Sequence, residues 1–94
     1  MIEKNIVVTF SKGLHARPAA SLVQMLSGYK SNVKIVREDM EIDAKSIMGI
    51  LILAAGCGTE LNMIIEGSDE QEVAQALEKF FSSKYEDGEN GSTK

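Results

Sequence analysis

The sequence predicts an α+β fold in the order βαββαβα, with a sheet buried on one face only. Three observations carry this expectation. Short stretches that alternate apolar and polar residues, or are rich in β-branched ones, read as four strands. Three other stretches repeat apolar residues at helical spacing. The alternating strands have polar residues at every second position, so one sheet face packs under the helices and the other meets water.

Residues 2–9 form the first strand, with Ile6, Val8 and then Phe10 on one side and Asn5, Val7 and Thr9 on the other. Residues 16–27 form an amphipathic helix on Ala19, Leu22, Val23 and Leu26, ended by Gly28 at the position where helices commonly stop. Val33, Lys34, Ile35 and Val36 make a second strand, and Glu41-Ile42-Asp43 a third. The turn between them, Glu38-Asp39-Met40, lacks the Asn-Gly or Asp-Gly pair of a tight hairpin. Periodicity alone would let Ile47–Leu53 be a buried strand. Ser46 as N-cap and the small-residue exit Ala54-Ala55-Gly56 favour a short helix. Thr59 to Glu66 alternates, with Leu61, Met63 and Ile65 facing one side. Ser68-Asp69-Glu70-Gln71 matches a capping box in which Gln71 reaches back to the Ser68 amide, and the last helix buries Val73, Leu77 and Phe80 or Phe81. Residues 1–84 thus form one domain, and the polar, aperiodic residues 85–94 are expected to be a disordered tail. No internal repeat is present.

Composition narrows the function. A chain of 94 residues with 44% hydrophobic and 26% charged residues suits one soluble domain with a modest core. A net charge of −4 and scattered basic residues argue against direct nucleic-acid binding, which needs a basic stripe. The single cysteine, Cys57, excludes an internal disulfide and a Cys-rich zinc site. The first residues, Met1-Ile2-Glu3-Lys4-Asn5, lack a secretory core, and the apolar run Ile47 to Ala55 is far shorter than the roughly twenty residues of a membrane span. A cytoplasmic location without membrane insertion is expected.

The candidate site is Gly13-Leu14-His15-Ala16-Arg17-Pro18-Ala19, which holds the only histidine and the only proline. His15 falls where a strand hands over to a helix, and the first amides of a helix lack internal partners and favour negative charge. Pro18 lies in the first turn, where a missing N–H costs little. An imidazole nucleophile, the Arg17 guanidinium and free amides together suit the carrying of a phosphoryl group. On local chemistry alone, Gly13 could equally be a turn residue, Pro18 a helix starter and His15 an incidental cap.

The wider sequence weighs against that plainer reading. Residues 2–83 resemble the histidine-containing phosphocarrier (HPr) family of the bacterial phosphoenolpyruvate-dependent sugar phosphotransferase system. The seven residues around His15 look like the family's active-site signature. Ala44-Lys45-Ser46-Ile47-Met48-Gly49 looks like its regulatory serine signature, and Gly67-Ser68-Asp69-Glu70-Gln71 is similar to the start of its last helix. The resemblance implies an open-faced β-sandwich: a four-stranded antiparallel sheet with three helices on one face. It implies a monomeric phosphoryl carrier rather than a turnover enzyme, with no cofactor and no metal. Enzyme I would phosphorylate His15 on Nδ1, with Arg17 beside the phosphate, and His15 would pass the group to EIIA domains of sugar permeases. HPr kinase/phosphorylase would modify Ser46, and in low-GC Gram-positive members that mark promotes binding to a catabolite-control repressor. Ala16, Ala20, Ile47, Met48 and Leu51 are the candidate partner-docking residues, while Ile50 and Leu53 belong to the core.

Some positions depart from the family pattern. Lys12 stands beside the active histidine where relatives often have a small polar residue, Glu38-Asp39-Met40 replaces the usual Asn-Gly-Lys type of turn, and Asp43 lies close to Ser46. The main alternative is a repression paralogue acting through phospho-Ser46. Such paralogues keep the serine and lose the histidine, so His15 weighs against it. A phosphohistidine enzyme such as a phosphatase needs further acid–base groups that a chain with one histidine does not offer.

Overall fold

The computed structural model describes residues 1–82. The seven elements follow in the expected order: β1 (Ile2–Val7), α1 (Ala16–Leu26), β2 (Asn32–Arg37), β3 (Met40–Asp43), α2 (Ile47–Leu53), β4 (Glu60–Glu66) and α3 (Glu70–Ser82). The anticipated tail, residues 85–94, and the domain end at residue 84 lie outside the described residues.

The strands make one antiparallel sheet in the order β1-β4-β2-β3. Register follows burial. Ile2 stands opposite Ile65, Lys4 opposite Met63 and Ile6 opposite Leu61, while Val33 and Ile35 meet Ile65 and Met63 from the other side. A slip by one residue would turn this whole set to solvent. Leu61, Met63 and Ile65 are completely buried and join Leu22 and Leu26 of α1, Ile50 and Leu53 of α2 and Val73 and Leu77 of α3 in one core. Each such side chain contributes about 1.5–3 kcal/mol relative to exposure. The opposite face carries Glu3, Asn5, Lys34, Glu41 and Glu60, with Lys34 Nζ 3.2 Å from the Glu41 carboxylate. The fold is therefore the open-faced arrangement that the sequence predicts.

The boundaries differ in instructive ways. β1 leaves its ladder at Val7, yet Val8 and Phe10 stay buried, so apolar alternation outlasts the strand. Val8 still exchanges hydrogen bonds with Thr59 and Gly58, and Phe10 packs against Phe80 and Phe81 with ring centroids 5.8 and 5.7 Å away. Met40 belongs to β3 and pairs with Arg37, which leaves a two-residue turn, Glu38-Asp39. Glu38 takes the left-handed conformation (φ 56°) that Asn or Gly usually supplies in such turns.

The start of α3 corrects the expected capping box. The helix opens on Asp69, whose carbonyl accepts the Val73 N–H at 3.0 Å, and Glu70, not Gln71, reaches back, accepting the Gly67 N–H at 3.1 Å. The Asp69 carboxylate turns to the segment just before β2 instead, accepting the Lys30 N–H at 2.8 Å, the Ser31 N–H at 2.9 Å and the hydroxyl of fully buried Ser31. Those donors, the Ser31 hydroxyl foremost, hold the Asp69 carboxyl below its ordinary pKa. The Gly67 amide and then the N-terminal ammonium do the same for Glu70.

Candidate functional site

His15 is the N-cap of α1, in extended backbone (φ −89°, ψ −164°), and its carbonyl accepts the Ala19 N–H at 2.9 Å. Its imidazole makes no capping hydrogen bond, and the first turn of α1 contains no acidic residue. Pro18 has no N–H, so the amides of Ala16 and Arg17 are the ones left at this helix start. The ring is half-buried, while Ala16 and Arg17 are exposed. An anion arriving here would meet two backbone donors, the positive end of α1 and the Arg17 guanidinium. The site offers attraction without enclosure, which suits a group that must leave again.

The loop into His15 is set by contact with the exit of α2. Gly13 is in the left-handed region (φ 74°), and a Cβ added there would lie 2.7 Å from the Ala55 carbonyl oxygen and 2.8 Å from Gly56 Cα. Only glycine satisfies both the conformation and the approach. The Leu14 N–H then donates to the Ala55 carbonyl at 2.8 Å, and the buried Leu14 side chain pins the residue before His15. A depression of about 320 Å³ lies between the two segments, lined by Lys12, His15, Ala16, Leu51, Ala54 and Gly56 among others. Lys12 thus adds a cation to the rim beside His15.

Ser46 occupies the opposite end of α2 as its N-cap, accepting the Gly49 N–H on Oγ at 3.1 Å. Asp43 shapes the approach: its carbonyl accepts the Ser46 N–H at 3.0 Å and its carboxylate the Lys45 N–H at 2.9 Å. Of the residues expected to form a docking patch, Ile47 is 41%, Met48 68% and Leu51 39% exposed, and Ala16 and Ala20 are exposed on α1, which packs on α2. Ile50 and Leu53 are buried, as expected. The structure adds Ile52, one turn after Met48 and 61% exposed. An unbroken apolar run offers no polar residue to mark its outer side, so sequence periodicity could not find it.

Sequence reasoning also passed over Arg37. Its Nη1 donates to the carbonyls of Leu53 at 2.7 Å and Ala54 at 3.2 Å, closing the C-terminus of α2 from β2. Among the described residues no group of three or more His, Cys, Asp or Glu side chains could hold a metal, and no helix is long and apolar enough to cross a membrane.

The one-sided antiparallel sheet under three helices is the fold of a class of small phosphocarrier domains, and comparison with known proteins places this chain in it. The family described as "PTS HPr component phosphorylation site" matches residues 2–83. The phosphocarrier protein HPr of Treponema pallidum (strain Nichols) is 44% identical over 87 residues, covering 93% of this chain and 99% of its own. The HPr-like protein Crh of Halalkalibacterium halodurans is also 44% identical, over 80 residues, covering 85% of this chain and 95% of its own. The crystal structure of HPr-C-His from Thermoanaerobacter tengcongensis superposes with a TM-score of 0.86 at 39% identity, covering 90% of this chain and 96% of that one. The chain belongs to the HPr family of the phosphotransferase system.

Proposed function

We propose that this chain is a phosphocarrier that accepts a phosphoryl group from phospho-enzyme I on His15 and donates it to EIIA domains of sugar permeases. One observation carries the reading: His15 opens α1 with its imidazole uncommitted and no carboxylate in the first turn to oppose an incoming phosphate. The ring nitrogen, Nδ1 by family resemblance, attacks phosphorus while the donor's bond to that phosphorus breaks, and the same exchange in reverse charges EIIA. Arg17 and the Ala16 and Arg17 amides steady the transferred group, since such transfer depends mainly on positioning and charge stabilisation. The exposed apolar face of α2, with Ala16 and Ala20, docks enzyme I and EIIA in turn, and flexible Met48 suits a surface that meets several partners. The relay operates in the cytoplasm.

Ser46 regulates the relay. An ATP-dependent HPr kinase/phosphorylase adds a phosphate of charge about −1.5 to −2 at the positive end of α2, where the fold tolerates it. It then stands beside Ile47 and Met48 and makes desolvating the docking face costly. A second reading, a regulator that acts mainly through phospho-Ser46 and a catabolite-control repressor, is favoured by the intact Ser46 cap and the likeness to Crh.

A relay assay separates the two. With phosphoenolpyruvate, enzyme I and an EIIA domain, the carrier reading expects EIIA to become phosphorylated only when the chain is present. No transfer to EIIA, together with repressor binding by the Ser46-phosphorylated form, would favour the regulator.

A further inference from the structure

We propose that Arg37 is a positioning residue for His15, acting through the exit of α2; this rests on His15 being the phosphoryl acceptor. Arg37 is the last residue of β2, far from His15 in sequence and outside the docking face. The last turn of α2 contains no basic residue of its own. The partial negative charge of its final carbonyls is met from outside, by the Arg37 guanidinium on Leu53 and Ala54. Ala54 holds a left-handed conformation (φ 53°, ψ 44°), which a residue with a Cβ keeps only when its surroundings impose it. Both carbonyls that Arg37 grips flank that bend.

The bend aims the next residue at the site. Ala55 is buried, and its carbonyl receives the Leu14 N–H at 2.8 Å, one residue before His15. Gly13 approaches Ala55 and Gly56 so closely that no side chain fits between them, which leaves the contact no slack. A shift of residues 54–56 must therefore move Gly13 and Leu14 too, and with them the backbone that carries the imidazole. Arg37 thus fixes the α2 exit, and the α2 exit fixes the His15 loop. Ala54, whose carbonyl Arg37 holds, also lines the depression beside His15, so the bend that Arg37 fixes forms part of that depression's wall.

The test uses Arg37→Met, which keeps an apolar stem and removes the donors, with Arg37→Lys as the conservative variant. Amide hydrogen exchange at Leu14 is compared with that at Met63, a core strand amide reporting global opening. The expected result for Arg37→Met is a rise at Leu14 of at least about tenfold over any rise at Met63, matching loss of the charge-assisted hydrogen bonds to Leu53 and Ala54. In phosphorylation by enzyme I, kcat falls severalfold while KM for the chain stays within about twofold, because Ile47, Met48 and Leu51 are untouched. Arg37→Lys recovers most of both losses. Equal acceleration at Leu14 and Met63, unchanged exchange at Leu14, or an unchanged kcat would each overturn the proposal. Failure of the unaltered protein to accept phosphate on His15 would overturn the relay reading instead, and the exchange ratio would still decide whether Arg37 holds the loop.

Discussion

The first and last helices begin in opposite ways. α3 starts with its dipole answered: Glu70 and Glu72 place negative charge in the first turn, Glu70 accepts the Gly67 amide, and Asp69 ties the junction to Lys30 and Ser31. α1 starts on a histidine that caps nothing, with no acidic residue in its first turn. Both are N-termini of helices longer than ten residues, in one small domain, so the contrast is not a matter of helix length. Local rules that are obeyed at one helix and broken at another mark where structure gives way to function. What the protein withholds from α1, a side-chain acceptor and a carboxylate, a phosphoryl group would supply on the proposed carrier reading.

The contrast can be broken most severely by giving α1 an ordinary cap. His15→Ser should abolish phosphoryl acceptance from enzyme I and at the same time raise stability by about 0.5–1 kcal/mol, read by labelling and urea unfolding of the same preparation. Loss of stability in that variant would show that His15 already serves the helix. The next largest effect belongs to Arg17→Ala, which should slow transfer about tenfold through loss of one charge-assisted contact while the unfolding midpoint stays put. An unchanged rate would mean that the partners bring all the positive charge.

Ser46 tests the middle helix, whose start is capped yet modifiable. Ser46→Ala should cost about 1 kcal/mol of stability with transfer near normal, because the Gly49 amide loses its acceptor. Ser46→Asp should keep the fold and slow phosphorylation of His15. Equal transfer rates for the two, across several salt concentrations, would leave Ser46 as a cap only.

The smallest effect lies at α3 and depends on pH. Asp69 and Glu70 have pKa values below those of the unfolded chain, so they bind fewer protons when folded. Their contribution is complete above the ordinary carboxylate range, about pH 4, and is lost as pH falls through the depressed folded values. Asp69→Asn should lower Tm by a few degrees at neutral pH and flatten the acid limb of the Tm–pH curve. His15→Ser should leave the steepness of that limb as it is in the unaltered protein. An acid limb as steep in Asp69→Asn as in the parent would place the acid-sensitive contact elsewhere.

Sequence and structure agree where the determinant is local. Alternation at Leu61, Met63 and Ile65 settled β4 and its facing, and Ser46 decided between strand and helix for Ile47–Leu53. The place of His15 at the start of α1 was legible because a lone histidine, a proline and a glycine met at a strand-to-helix junction. Long-range demands were not legible. The capping residue at α3 moved because Asp69 is drawn to Ser31, 38 positions away in sequence, leaving Glu70 to reach back. Arg37 acts 16 positions from Leu53 and looked like one more scattered cation. The buried run continued past the end of β1 because Phe10 fills the core beside Phe80 and Phe81, and periodicity reports burial rather than ladder pairing.

The central claim, that the open start of α1 carries a phosphoryl group on His15, is tested most directly by intact-mass measurement after incubation with phosphoenolpyruvate and enzyme I, before and after mild acid. The account predicts that the unaltered chain gains one phosphoryl group that mild acid removes, and that His15→Ala, still folded, gains none. A phosphoryl group that survives acid, or one that His15→Ala still acquires, would contradict it.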